Sequence, residues 1–204
     1  MNFGEKMQNR ADVLLASLDG TILDVGGSAG TLSEELAKRF PSVRVVCLDI
    51  ELLHVRPNLV IGDGQQMPFA DKSFQSILGG EVIEHIPDPR KFLQESWRVL
   101  ENNGVLALST PNKKSWLNRI AHSYEMPHHI SLLSFDELQK MLVEEGFTIQ
   151  SARFFPYTME SSDGARNKWF FPLRGIVHQL MPRDLQEEMV IIARKLPQKS
   201  SSTT

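Results

Sequence analysis

Glu81, Glu84 and His85 in the run EVIEH fall at i, i+3 and i+4, a spacing that places all three on one face if the segment is helical. A second histidine, His129, follows in HHISLL. Carboxylates and imidazoles gathered this way can take a proton from a hydroxyl or hold a divalent ion, since imidazole titrates near neutrality and both groups offer lone pairs. His85 and His129 are the candidate catalytic residues, although spacing does not join His129 to the EVIEH run. An earlier run, ILDVGGSAG, offers different chemistry. Its apolar residues end in Asp24 and a burst of small residues, Gly26, Gly27, Ser28 and Gly30, that lets backbone turn sharply and approach a ligand. A helix beginning at Thr31 aims its amides at whatever binds there, and Asp49 at the next strand's end can accept hydrogen bonds from a ribose.

A glycine loop with a ribose acid serves dinucleotide and nucleoside sites alike, and the spacing separates them. A pyrophosphate grip needs G-x-G-x-x-G. Counting from Gly26, the other two positions hold Ser28 and Thr31; counting from Gly27, they hold Ala29 and Leu32.

The elements that must position these residues follow from periodicity. The strands TILDV, SVRVVCLDI, LVIG, SFQSIL, VLALST, TIQSARF and EEMVIIARK are apolar and rich in β-branched residues. A lead helix spans Glu5 to Ser17. Leu32, Leu36 and Phe40 recur every four residues after a Thr31/Glu34 capping box. Asp88-Pro89 opens a helix whose Phe92, Leu93, Trp97 and Leu100 form one stripe before Gly104 stops it. Ser134 and Glu137 form a further box, and that helix ends at Gly146. Between Asp49 and Asp63 the chain is short and contains Pro57, so the helix there is very short or missing. Alternating strands and helices predict an α/β, Rossmann-like three-layer sandwich with a mostly parallel seven-stranded sheet. Two irregular stretches, Asn112 to Leu133 and Phe155 to Gln186, are expected to form the acceptor side. Within the second, Trp169, Phe170, Phe171, Leu173, Ile176, Val177 and Leu180 are expected to pack over the last strands.

The 204 residues suit one domain over 1–196, with the polar stretch 197–204 as a disordered tail. A net charge of −3 lacks the basic surplus of a nucleic-acid binder. Cys47 is the sole cysteine, which fits a reducing, cytoplasmic setting. No apolar run approaches the ~20 residues of a membrane helix, so stable membrane insertion is not expected.

Taken in order, these runs resemble the class I S-adenosylmethionine-dependent methyltransferases, including the ubiquinone/menaquinone-pathway type. ILDVGGSAG matches the family's first motif through Asp24, Gly26 and Gly30; VVCLDI supplies the ribose acid; IGDGQQMPFADKSFQSI is similar to the adenine-contacting segment; and GGEVIEHIPDPRKFLQESWRVLENNGVLALSTPN follows the fourth and fifth strands. Ser28 stands where the family usually carries a second glycine. The resemblance implies S-adenosylmethionine as cofactor and a small-molecule acceptor, oxygen favoured. It places Asp24, Gly26 and Ser28 near the methionine portion and Asp49 on the ribose. Asp63 and Gly64 then meet the adenine, Gly80 faces the sulfur, and Gly27, Gly30 and Ile50 complete the set. E-x-x-E-H segments in ubiquinone-pathway O-methyltransferases and small-RNA 2′-O-methyltransferases are associated with a divalent metal; in the latter a later histidine joins them, a position His129 can fill. The same E-H pair is widespread without one, and no resident metal is expected here. Competing readings are a catalytically silent nucleoside-binding or partner protein on the same fold, and a nicotinamide-dependent oxidoreductase.

Overall fold

The structure, a computed structural model, describes residues 9–27, 31–52, 58–120, 129–156 and 171–197. Seven strands form one sheet: β1 (Thr21–Val25), β2 (Arg44–Asp49), β3 (Leu59–Ile61), β4 (Phe74–Gly80), β5 (Leu100–Pro111), β6 (Phe147–Phe155) and β7 (Glu188–Lys195). Their order is β3-β2-β1-β4-β5-β7-β6. All pairs are parallel except those of β7, which runs antiparallel to both β5 and β6. The expected sheet is thus present. From β1 the chain steps outward through β2 and β3, then returns to lay β4 on the other side of β1. That reversal opens a crevice beyond the carboxyl ends of β1 and β4, where open α/β sheets bind ligands.

Strand period two sends alternate residues to opposite faces. Leu23, Ile77, Leu106 and Ile191 enter one core with Phe92 and Leu93 of α3 (Pro89–Val99) and Leu138 and Leu142 of α5 (Phe135–Glu144). Ile22, Leu78, Ala107 and Ile192 enter the other, with Leu14 and Leu15 of α1 (Arg10–Leu15) and Leu36 of α2 (Thr31–Arg39). Each such buried aliphatic side chain contributes about 1.5–3 kcal/mol. Phe40, expected on the inner stripe of α2, is 36% exposed just beyond the helix end.

Helix α3 starts as read, with Asp88 accepting hydrogen bonds from the amides of Arg90 and Lys91 and with Pro89 in its first turn. It ends earlier. Leu100 is already extended and pairs with Phe74 of β4, so Gly104 lies inside β5 rather than at a helix stop. The stop is supplied from far along the chain: buried Lys195 of β7 donates from Nζ to the carbonyls of Trp97 and Leu100, each at 2.7 Å. Those are the orphan acceptors a helix C-terminus leaves. Desolvation lowers the pKa of that ammonium.

The two irregular stretches contain α4 (Trp116–Ile120) and α6 (Phe171–Leu180). They are pinned together by buried Asn112, whose Nδ2 donates to the carbonyls of Asp184 and Gln186. Of the expected apolar cover, Ile176 is 59% and Leu180 81% exposed, so these two do not pack over the last strands. Trp169 and Phe170 lie outside the described residues, as do the tail 198–204 and most of the connection between β2 and β3. No helix among the described residues is long and apolar enough to cross a membrane.

The capping box on α5 is intact, with Ser134 Oγ accepting from the Glu137 amide and Glu137 accepting from the Ser134 amide. The backbone bond from Ser134 holds the Glu137 carboxyl at about 2 rather than 4.5. A lowered carboxylate pKa stabilises above the unfolded value and loses that contribution as pH falls through the folded one. Ser134→Ala is expected to cost about 1 kcal/mol, a fall in Tm of roughly 2–4 °C for a domain this size. Glu137→Gln lowers Tm at pH 7, and the difference closes as pH falls from 4.5 to about 2; scanning calorimetry across pH checks both.

Candidate functional site

At the end of β1 the chain turns with Gly26 at φ +76°, its amide donating to Leu48 O at 2.8 Å. Glycine is required twice over there. Its backbone is left-handed, and a Cβ would lie 2.9 Å from Val82 Cγ2. At Gly27 a Cβ would sit 2.4 Å from Asp24 Oδ2. Asp24 is only 3% exposed, and Ser33 of α2 donates its hydroxyl to that same oxygen, tying the first turn of α2 back to β1. Gly80, at the end of β4, faces α2 directly: a Cβ would meet Leu32 Cδ1 at 2.5 Å. These close approaches draw β1, α2 and β4 together around one loop. Ser28 and Gly30 lie outside the described residues.

Asp49 ends β2 beside Ile61 of β3; its carbonyl accepts from the Gly62 amide at 2.8 Å and its Oδ1 from the Glu51 amide. Ile50 next to it is 68% exposed. Asp63 Oδ1 accepts from the Gln65 amide at 2.8 Å, and both of its oxygens lie within 3.2 Å of Gln65 Nε2, the arrangement of a local turn cap. Gly64 has no close packing demand, since an added Cβ would lie 3.4 Å from Phe92 and Val25 atoms. Asp24, Asp49 and Gly80 thus all lie at the carboxyl edge of the sheet, with Asp63 just past the end of β3.

The segment EVIEH is not helical throughout, so the condition for a common face of Glu81, Glu84 and His85 is not met. Glu81 adopts φ 52°, its amide donating to Ser109 O at 3.0 Å, and only Ile83–His85 make a single 3₁₀ turn before Pro87. Glu81 therefore leaves the predicted trio and lies 2.8 Å from Arg10 Nη1 of α1. Glu84, His85 and His129 do come together. One ligand atom from each lies within 4.8 Å of the others, and the two imidazole centroids are 4.9 Å apart. His129 is brought in by backbone: the Ser131 amide donates to Glu84 O at 2.9 Å.

Glu84 is fully buried. Thr110 at the end of β5 donates to its Oε2 at 2.9 Å, and its Oε1 has no hydrogen-bond partner. Burial, and then the nearby Glu81 charge, push this carboxyl well above the usual carboxylate range, while the Thr110 hydroxyl and Arg10 pull the other way. Thr110 and Arg10 went unread as site residues, because their only signal is contact across the sheet. His54, His122 and His128 lie outside the described residues.

A model of the family described as a methyltransferase domain matches residues 3–152. The chain belongs to that family. Its cofactor is S-adenosylmethionine, and it is an enzyme of class I. It is 25% identical to a demethylmenaquinone methyltransferase of Thermotoga maritima over 66% of this chain and 72% of that protein. It is 34% identical to a ubiquinone biosynthesis O-methyltransferase of Histophilus somni over 47% of each. The chain thus spans about half the length of that second relative. Among solved structures, a methyltransferase of Bacillus halodurans matches with a TM-score of 0.66 at 22% identity, over 92% of this chain and 99% of that one. That likeness shows the fold.

In this methyltransferase, Gly27→Ala forces the Asp24 carboxylate or the loop to shift. Overpacking of this kind is expected to cost about 1–3 kcal/mol, read as a lowered Tm together with weaker S-adenosylmethionine binding by calorimetry. Gly64→Ala, with room for its Cβ, is expected to leave Tm nearly unchanged.

Proposed function

We propose that the chain transfers the methyl group of S-adenosylmethionine to a small, freely diffusing molecule in the cytoplasm, at an oxygen atom of a hydroxyl or phenol. The convergence of Glu84, His85 and His129 at the end of β4, beside the crevice, carries this reading. Asp49 binds the ribose, Asp63 and Gly64 the adenine side, and the Asp24–Gly30 loop the methionine portion, with Ile50 and Gly80 along the cofactor. When bound, S-adenosylmethionine would supply a methyl carbon made electrophilic by its sulfonium; an acceptor oxygen would displace the sulfur there, the carbon–sulfur electron pair remaining on the sulfur. His85 or His129 takes the hydroxyl proton. Alignment in a dry crevice supplies most of the rate. The proton transfer adds about 10²–10⁴-fold. The O-methyltransferase relative supports oxygen, and the quinone-pathway names of two relatives support a phenolic acceptor.

A second reading rests on Glu84 Oε1, which is buried without a hydrogen-bond partner and belongs to the same cluster as the two imidazoles. One carboxylate with two imidazoles is a donor set that suits a borderline divalent ion. Such an ion would polarise the acceptor oxygen. Glu84, His85 and His129 would hold it, and Glu84 would then stay ionised.

Calorimetric titration with S-adenosylmethionine, with NAD as control, tests the cofactor assignment, and absence of heat would sink it. With a panel of catechols and hydroxybenzoates, His85→Ala and His129→Ala are expected to lower kcat about 10²–10⁴-fold while leaving cofactor affinity within about twofold. Loss of activity on chelation, restored by a divalent ion, selects the second reading; unchanged activity in chelator selects the first.

A further inference from the structure

Helix α1 is fastened to α2, to the turn after β4 and to β7. Its own start is fixed by a reciprocal box in which Asn9 Oδ1 accepts from the Asp12 amide at 2.7 Å and Asp12 Oδ2 from the Asn9 amide at 3.1 Å. Asp12 Oδ1 accepts from Arg39 in the last turn of α2 at 2.5 Å. Arg10 Nη1 lies 2.8 Å from Glu81 Oε1 and 3.7 Å from Glu188 Oε2 at the start of β7. Leu14 and Leu15 are fully buried beneath the helix, so Arg10 is presented from a fixed base. Glu188 is 1% exposed and Arg10 has a quarter of its side chain open, which shields this contact from the solvent that weakens surface pairs.

What Arg10 holds is a strained turn. Glu81 is in the left-handed region without being glycine, a conformation that persists only when its surroundings over-determine it. On one side of it Gly80 faces Leu32 in the first turn of α2; on the other, Val82 covers Gly26. The three residues 80–82 are therefore the wall against which the glycine loop and α2 are set.

We infer that Arg10 is a positioning residue for the cofactor, holding the Gly80–Val82 turn against the glycine loop through its ion pair with Glu81. This rests on S-adenosylmethionine occupying the crevice. The test uses the full chain and the variants Arg10→Met, Arg10→Lys, Glu81→Gln and Arg10→Met/Glu81→Gln, with Kd for S-adenosylmethionine by calorimetry and Tm of the free protein alongside. Each of Arg10→Met and Glu81→Gln is expected to weaken binding about tenfold, the double variant no further than either single, and Arg10→Lys to recover most of the loss. A purely structural Arg10 would move Tm and leave Kd unmoved. Glu81→Gln binding within twofold of the native chain overturns the inference, as do single effects that multiply in the double variant. Should Arg10→Met not fold, Glu81→Gln and Arg10→Lys decide alone. Failure of the native chain to bind would instead strike the cofactor assignment.

Discussion

The site depends on how closely side chains approach glycine backbone where β1, α2 and β4 meet. At that seam Gly26 lies under Val82, Gly27 under the Asp24 carboxylate and Gly80 against Leu32, each nearer than a Cβ allows. Interiors packed at crystal density do not yield by half an ångström without cost. Gly26, Gly27, the start of α2 at Leu32 and the turn after β4 are consequently packed as one unit.

A second constraint is electrostatic. Glu81, Glu84 and Glu188 gather near the carboxyl end of β4 and the amino end of β7, with Arg10 facing Glu81 and Glu188 and carrying part of the field at Glu84. Glu84 takes the most buried position, and desolvation favours its neutral form. A hydroxyl from Thr110 satisfies one of its oxygens, which leaves the other available to a donor or an ion. The two histidines beside it are in contact because the segment through Ser131 hydrogen-bonds to the same 3₁₀ turn.

Distant residues complete elements whose local signals are incomplete. Helix α3 has its start written beside it in Asp88 and Pro89, but its end is satisfied by Lys195, nearly a hundred residues on. Likewise Asn112 joins two irregular stretches through carbonyls of residues more than seventy positions away. In both cases a polar side chain is buried because main-chain groups that lack a partner in their own element need one.

Local order was legible in the amino-acid sequence because it rests on short-range physics. Apolar runs rich in β-branched residues placed all seven strands, the Asp88 and Ser134 caps placed two helix starts, and the glycine spacing in ILDVGGSAG separated a nucleoside loop from a pyrophosphate grip. Asp24, Asp49 and Gly80 fall at the carboxyl edge for the same reason, since each ends a strand and parallel strands share one edge. Tertiary structure alone decided which of the acids in EVIEH serve together. The i, i+3, i+4 spacing makes a common face only on a helix, and in the folded chain Glu81 instead takes a left-handed turn and lies against Arg10. The pairing of His85 with His129, the burial of Glu84 under Thr110 and the grip of Arg10 are contacts between segments far apart in the chain. No periodicity records them, because they exist only once the sheet has brought β4, β5, β7 and α1 to one place.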